Sequence, residues 1–328
     1  MGNKVQKIGL MTSGGDAPGM NAAIRAVVRA CTYYKVDCVG IYRGFQGMIE
    51  GDFEPLNARH VSNIINRGGT ILKTDRSKEF RTKEGRKKAY DNLKSAGIDA
   101  LVLIGGDGTF NGGLVFNSEY NFPCIGIPGT IDNDIFGTNY TIGYDTALNT
   151  IVQVIDKIRD TASSHNRLFF VEVMGRDAGF IALNAGVGAG AEEILIPEEN
   201  LGLDRLLESL KRSKRSGKSS SIVVVAEGDK IGKNVFELAN YVEENLPQYE
   251  VRVSVLGHMQ RGGAPSCFDR VLASRLGVRA VELLLDGKTN LMVGMVDNEI
   301  EAIELKEAVK GRHEIDKELL RVSDIMSI

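Results

Sequence analysis

Ala100-Leu101-Val102-Leu103-Ile104-Gly105-Gly106-Asp107-Gly108-Thr109 is an apolar run that passes directly into a glycine-rich turn, with Leu114 and Val115 at helical spacing beyond it. A run that short and apolar, bounded by glycine, reads as a strand buried on both faces. The same pattern opens the chain. Val5–Met11 is apolar, Thr12-Ser13-Gly14-Gly15-Asp16-Ala17-Pro18-Gly19 follows, and Asn21–Tyr34 places Ile24, Val27, Val28 and Cys31 on one helical face. It recurs where Phe122–Ile127 runs into Pro128-Gly129-Thr130-Ile131-Asp132-Asn133-Asp134. Strand–loop units repeated in this way predict a doubly wound parallel sheet, with one composite site at the carboxyl ends of its strands.

Between these units, Cys38–Tyr42 reads as a short strand, Arg43–Gly51 as a loop, Val61–Asn66 as a short helix and Phe80–Leu93 as a charged helix. After the helical Thr146–Asp160 the alternation restarts. Strands are expected at Leu168–Val173, Ile194–Ile196, Ser221–Ala226 and Val251–Leu256, and helices at Phe180–Val187, Leu203–Arg215, Val235–Asn245 and Cys267–Asp286. This is a second, smaller α/β unit beginning near Gly143. No Pro- or Ser-rich linker marks the boundary, so a chain crossover is expected.

The 328 residues are 43% hydrophobic and 25% charged, with a net charge of −3, so no basic excess points to nucleic acid or an anionic membrane. No window approaches the ~18 consecutive apolar residues of a membrane span. Cys31, Cys38, Cys124 and Cys267 form no Cys-x-x-Cys pair, and Met1-Gly2-Asn3-Lys4 leads into a strand, not a signal-type apolar stretch. A cytoplasmic protein with reduced thiols is expected.

The loops suit phosphoryl transfer, which needs backbone donors for phosphate, a cation, a base for the attacking hydroxyl and guanidinium groups on developing charge. Gly14-Gly15 and Gly105–Thr109 offer amides, Asp107 a carboxylate for magnesium, and Asp132 or Asp134 a proton acceptor. Taken alone, the Asp132–Asp134 stretch is equally a solvated turn. Arg76, Arg167, Arg176, Arg252 and Arg261 lie near strand ends or beside glycine or histidine. A single arginine of this kind is most often solvated, but guanidinium forks match phosphate oxygens. His258 and Glu227 stand at further strand ends. Neither the P-loop pattern nor the dinucleotide fingerprint is present, which argues against a dehydrogenase on this fold.

Together, Thr12–Asn21, Gly105-Gly106-Asp107-Gly108-Thr109, Pro128–Asp134, Val173-Met174-Gly175-Arg176 and Gly257-His258-Met259-Gln260-Arg261-Gly262-Gly263 resemble the motifs of the bacterial ATP-dependent 6-phosphofructokinases (phosphofructokinase A family), in order and over essentially the whole chain. Gly-Gly-Asp-Gly-Thr alone is shared with NAD kinases and lipid kinases; the set is specific. The resemblance implies the phosphofructokinase fold, two doubly wound Rossmann-like α/β domains with mainly parallel sheets. A larger ATP-binding domain of residues 1–143 plus about 259–310 is expected, and a smaller fructose 6-phosphate domain of 144–258 plus 311–328. The implied reaction moves the γ-phosphoryl of MgATP to the 1-hydroxyl of fructose 6-phosphate.

The resemblance also implies roles. Asp132 is the base, supported by Asp134, with Thr130 and Ile131 at the substrate and Asp107 positioning Mg2+. Gly15, Arg76, Ser77, Gly106, Asp107, Gly108 and Thr109 bind ATP, and Arg76 and Arg176 brace the transferring group. Met174, Gly175, Glu227, Met259 and Gln260 meet the sugar phosphate, and Arg167, Arg252, His258 and Arg261 hold the 6-phosphate. Arg167 and Arg252 would reach in from a neighbouring subunit of a homotetramer. Phe45, often tyrosine in the family, would pack near the nucleotide. Pyrophosphate-using relatives carry aspartate at 108 and lysine at 129; glycine at both positions here favours ATP. Arg25, Arg29, Arg59, Arg159, Gly190, Glu192 and Lys218 match the site at which ADP activates and phosphoenolpyruvate inhibits. Ala58 and Ser216 replace two of its cations, and Arg59 stands one residue from the first, so altered or weak control is expected. The alternatives are a pyrophosphate-dependent enzyme and a non-catalytic sugar-phosphate-binding paralogue.

Overall fold

The computed structural model describes residues 5–165, 167–199, 202–215, 221–229, 231, 234–311 and 313–327. The chain begins with β1 (Lys7–Thr12), α1 (Met20–Tyr34), β2 (Asp37–Ile41), α2 (Phe45–Glu50), β3 (Phe53–Leu56), α3 (Lys83–Ser95), β4 (Ala100–Gly105), α4 (Asp107–Tyr120) and β5 (Cys124–Pro128). Then come α5 (Tyr144–His165), β6 (Arg167–Val173), α6 (Phe180–Gly188), β7 (Glu193–Leu195), α7 (Leu203–Arg215), β8 (Ser221–Ala226), α8 (Val235–Asn245) and β9 (Glu250–Val255). It closes with α9 (Cys267–Leu285), β10 (Leu291–Val296), β11 (Glu299–Glu304), α10 (Leu305–Lys310) and α11 (Lys317–Met326).

The chain divides into two units. One holds the residues up to Ile131, Ile135–Thr146 and Arg261–His313. The other holds Asp132–Asp134, Ala147–Gln260 and the C-terminal segment from Glu314. The three-residue acidic turn therefore groups with the second unit although β5, which leads into it, belongs to the first.

The first unit is built on a seven-stranded sheet of order β11-β10-β5-β4-β1-β2-β3. Its strands β2, β1, β4, β5 and β10 pair in parallel, while β3 and β11 are antiparallel edges. All six residues of β4 are buried, as a central parallel strand requires. The strand order reverses between β1 and β4, so the loops after these two strands flank the switch point at which such sheets bind ligands. Phe110 and Phe116 of α4, Met11, Leu103 and Met292 share one core cluster. Each such side chain contributes roughly 1.5–3 kcal/mol through burial.

The second unit has a four-stranded, all-parallel sheet of order β7-β8-β6-β9. Leu168, Phe170, Val223 and Val225 of its central strands pack with Leu206 and Leu210 of α7 and Leu238 and Val242 of α8. Among the described residues no helix is long and apolar enough to cross a membrane.

Two sequence expectations need correction. Arg43–Gly51 is not a loop throughout, because α2 forms there and buries Phe45, Met48 and Ile49. Val61–Asn66 is a series of turns, not a helix; Asn63 adopts a left-handed φ of 57°, which breaks helical continuity. The β10–β11 hairpin was not anticipated at all.

Candidate active site

In the first unit the glycine loops lie against one another. Ser13 N donates to Ile104 O at 3.0 Å, and Gly129 N donates to Gly105 O at 3.0 Å, so the loops after β1, β4 and β5 are tied in a row. Gly105 is required by that proximity, since a Cβ there would lie 2.4 Å from Ser13 O and 2.4 Å from Thr109 Oγ1. Gly105→Ala is expected to lower stability by about 1–3 kcal/mol, the usual cost of overpacking against backbone that cannot yield. Chemical denaturation measures that loss.

Asp107 does not sit in a loop, as the motif alone suggests, but in the first turn of α4. Its carboxylate is exposed and accepts a hydrogen bond from Gly108 N at 2.6 Å, at the helix end where negative charge is favoured. Among the described residues no group of three or more His, Cys, Asp or Glu side chains could hold a metal. A single exposed carboxylate nevertheless suits magnesium, which takes one or two carboxylates together with water and phosphate oxygens.

The irregular stretch before α3 is anchored at β1 and α1. Thr12 Oγ1 donates to Lys73 O, and the Asn21 side chain bridges Arg67 O, Gly68 O and Ile71 N. This brings Arg76, exposed, and Ser77 to the same strand edge; Ser77 Oγ donates to Gln46 Oε1 at 2.7 Å. Arg261 Nη1 donates to Asp16 O at 3.3 Å, and a Cβ on Gly15 would lie 2.5 Å from it. The guanidinium expected on the sugar 6-phosphate therefore lies across the first glycine loop.

Gly108 and Gly129 differ in what they leave open. A Cβ at 108 meets nothing within 4 Å, whereas one at 129 would lie 3.0 Å from Ile104 Cγ2 and 3.3 Å from Met20 Cε. Gly129 is thus held by packing as well as by any donor preference. Phe45 is buried and stacks on Phe80 with ring centroids 4.1 Å apart, so its ring serves the core.

In the second unit, three strand ends converge. After β6, Gly175 takes φ 140° and Arg176 takes φ 54°, a left-handed conformation rare for a side-chain-bearing residue and enriched at functional sites. Arg176 N donates to Glu227 Oε1 at 2.8 Å, beyond β8, and Met174 N donates to Gln260 Oε1 at 3.1 Å, beyond β9. Gln260 is wholly buried and its Nε2 also donates to Gly257 O, so its amide ties the loops after β6 and β9 together. His258 and Met259 beside it are exposed. Burial, and then the charge of Glu227, push the Glu172 carboxyl above its ordinary range.

Asp132 is 2% exposed, and its Oδ2 lies 3.4 Å from Arg176 Nε. Asn133, between the two aspartates, takes φ 53°, and Asp134 is half-buried. The turn's frame lies in the first unit. There Thr141 Oγ1 donates to Thr130 O at 2.6 Å and Ile142 N to Pro128 O at 2.9 Å, while the Thr130 and Ile131 side chains are buried.

Arg167 and Arg252 are not gathered with these groups. Arg167 begins β6, roughly 20 Å along the strand from Met174 at ~3.3 Å per residue. It pairs with Glu250 at 3.1 Å, and Arg252 pairs with the same carboxylate. The hydrogen bond from Arg167 and then the charges of both arginines hold Glu250 below the usual carboxylate range.

Of the expected effector residues, Arg159, Gly190 and Glu192 come together. Arg159 Nη2 donates to Ala189 O and Gly190 O, its Nη1 lies 3.6 Å from Glu192 Oε1, and Glu192 Oε2 accepts from Ile222 N at 2.6 Å. Arg25 and Arg29 lie one turn apart on α1, and burial followed by the Arg29 charge lowers the Arg25 pKa. Arg59 is exposed in a turn. Lys218 lies outside the described residues.

The family model described as Phosphofructokinase matches residues 7–284. The chain is 56% identical over 324 residues to "ATP-dependent 6-phosphofructokinase 1" of Thermus thermophilus, covering 99% of this chain and 100% of that one. It is 54% identical to "ATP-dependent 6-phosphofructokinase 2" of Bacteroides thetaiotaomicron, covering 99% of each. Among solved structures it resembles the phosphofructokinase of Saccharomyces cerevisiae, with a TM-score of 0.88 and 39% identity over 93% of this chain and 45% of the yeast chain. A pyrophosphate-dependent phosphofructokinase from Marinobacter aquaeolei shares the fold at a TM-score of 0.85 and 22% identity, over 95% of this chain and 86% of that one. With a family match across most of its length and relatives this similar from end to end, the chain belongs to the phosphofructokinase family.

Proposed function

We propose that the protein is the glycolytic kinase that transfers the γ-phosphoryl group of MgATP to the 1-hydroxyl of fructose 6-phosphate, giving fructose 1,6-bisphosphate and ADP. The observation that carries the site assignment is the buried Asp132 carboxylate, 3.4 Å from the Arg176 guanidinium in a turn shaped by a left-handed Asn133. Asp132 accepts the hydroxyl proton as the oxygen attacks the γ-phosphorus and the bond to the β-phosphate oxygen breaks. Asp134 adds negative charge beside it, and Thr130 sets the entry to the turn. Arg176 and Arg76 balance charge on the transferring group.

The first unit supplies the nucleotide residues: Gly15, Arg76, Ser77 and the Gly106–Thr109 segment. Asp107 holds magnesium, which would neutralise phosphate charge when bound. The second unit supplies the sugar residues Met174, Gly175, Glu227, His258 and Met259, with Gln260 fixing the loops that carry them. Arg261 is assigned to phosphate binding. Because Arg167 begins β6 and Arg252 stands opposite Phe169 in the first half of β9, away from Met174, we assign them to the 6-phosphate of a neighbouring subunit in a homotetramer. We further propose a cytoplasmic location, and weak ADP or phosphoenolpyruvate control through Arg25, Arg29, Arg59, Arg159, Gly190, Glu192 and Lys218.

A coupled assay with fructose 6-phosphate, Mg2+ and either ATP or pyrophosphate tests this function. Turnover with ATP and only a background rate with pyrophosphate is expected, with little response to added ADP when fructose 6-phosphate is below saturation. Turnover with pyrophosphate alone would assign the other donor.

A further inference from the structure

Asp269 is a fully buried carboxylate that neither the motif reading nor the proposed chemistry uses. It lies in the first turn of α9, behind the N-cap Ser266, and faces the first turn of α5. Its Oδ1 accepts from Gly143 N at 2.8 Å; its Oδ2 accepts from Thr146 N at 2.8 Å and from the Thr146 hydroxyl. Two helix amino ends, each favouring negative charge, thus share one carboxylate. Burial pushes its pKa up to about 6, with Asp145 adding to that rise and the three donors opposing it. Those donors favour the ionised form, which accepts all three bonds.

What it grips leads to the acidic turn. Gly143 and Thr146 bound the return from that turn into α5, and between Gly143 and the turn stand Ile142, bonded to Pro128 O, and Thr141, bonded to Thr130 O. Asp269 also reaches the first glycine loop. Gly19, which ends that loop with φ 116°, would carry a Cβ 3.6 Å from Asp269 Cβ and 2.6 Å from Ile142 Cγ2. A Cβ on Gly143 would lie 2.7 Å from Ala17 Cβ. One side chain thus stands where the nucleotide loop and the frame of the catalytic turn meet.

We propose that Asp269 is a positioning residue for phosphoryl transfer, fixing through Gly143 and Thr146 the segment that sets Thr130 and hence the carboxylate that follows it. This rests on the assignment of Asp132 as base. Misplacing a reacting group by about 1 Å costs on the order of 100-fold in rate.

The test is steady-state kinetics of Asp269→Asn with MgATP and fructose 6-phosphate. Asparagine keeps the shape but turns an N–H group toward one of the donors. We expect kcat to fall at least about tenfold, with both KM values nearly unchanged and the near-ultraviolet circular dichroism retained. Thr141→Val, which removes the bond to Thr130 O, is expected to lower kcat in the same way, and the double variant to fall by less than the product of the two, because both act through one frame. Should Asp269→Asn not fold, Thr146→Val, which keeps the Thr146 N bond and removes the hydroxyl that donates to Asp269 and accepts from Ser266 N, carries the same expectation against Thr141→Val. Wild-type kcat in the folded Asp269→Asn variant would overturn the proposal, as would independent multiplication with Thr141→Val or a loss confined to KM. Asp132→Asn assayed alongside separates the two assignments. If it stays active, the base is wrong; if it alone is inactive, Asp132 stands and the positioning role fails.

Discussion

Replacing Asp132 with alanine is expected to lower kcat by about 1,000-fold, within the range that a positioned general base supplies. The KM for fructose 6-phosphate should change little, because the hydroxyl proton is transferred only as the reaction proceeds, and groups acting in the transition state alone move kcat. The carboxylate is 2% exposed and faces Arg176, so each variant is checked for fold by its thermal melt before its rate is read. Asp132→Asn, equal in size and unable to accept the proton, should be nearly as slow. Steady-state rates with parallel thermal melts decide the matter; wild-type kcat in either variant would remove Asp132 from the role.

Arg176→Ala is expected to reduce kcat by roughly 100- to 1,000-fold, somewhat below the effect of an arginine finger in related chemistry. The guanidinium is half-exposed while the carboxylate it pairs with is buried, so the arginine keeps a face toward solvent where a ligand can approach. Lysine should restore little, since a point charge lacks the planar fork that grips two phosphate oxygens. Glycine is the informative control. Arg176 has φ 54°, a conformation glycine adopts freely, so Arg176→Gly should fold at least as well as Arg176→Ala and be equally slow. A glycine variant faster than the alanine one would show that backbone strain, not the charge, carries the effect.

Much of this fold was legible because its central strands are buried on both faces. Ala100–Ile104 and Ser221–Ala226 announce themselves by apolar composition followed by Gly105 or Glu227, and Phe122–Ile127 by apolar residues leading into Pro128-Gly129. What escaped was structure set by packing or by turn chemistry. In α2, Gly47 disfavours helix, yet Phe45, Met48 and Ile49 reach the core only if the segment coils. The β10–β11 hairpin carried a readable signal: Glu299-Ile300-Glu301 alternates, and Asp297-Asn298 takes φ 48° and 67°, the paired positive values of a two-residue hairpin turn.

The site shows the same division. The motifs named its polar residues, but geometry alone shows that Gln260 is a brace, that Arg261 lies on Gly15, and that Arg167 stands at the far end of its strand from Met174. Asp269 could not be found from a motif at all. Its importance lies in contacts with Gly143 and Thr146, more than 120 residues earlier in the chain.

The most direct measurement is 31P nuclear magnetic resonance of a reaction containing the purified protein, MgATP and fructose 6-phosphate. A new phosphate ester on carbon 1, growing in step with ADP while the ester on carbon 6 persists, is the predicted result, and Asp132→Ala should leave both starting signals in place. ATP consumed with release of inorganic phosphate, or no ester on carbon 1, would contradict the assignment.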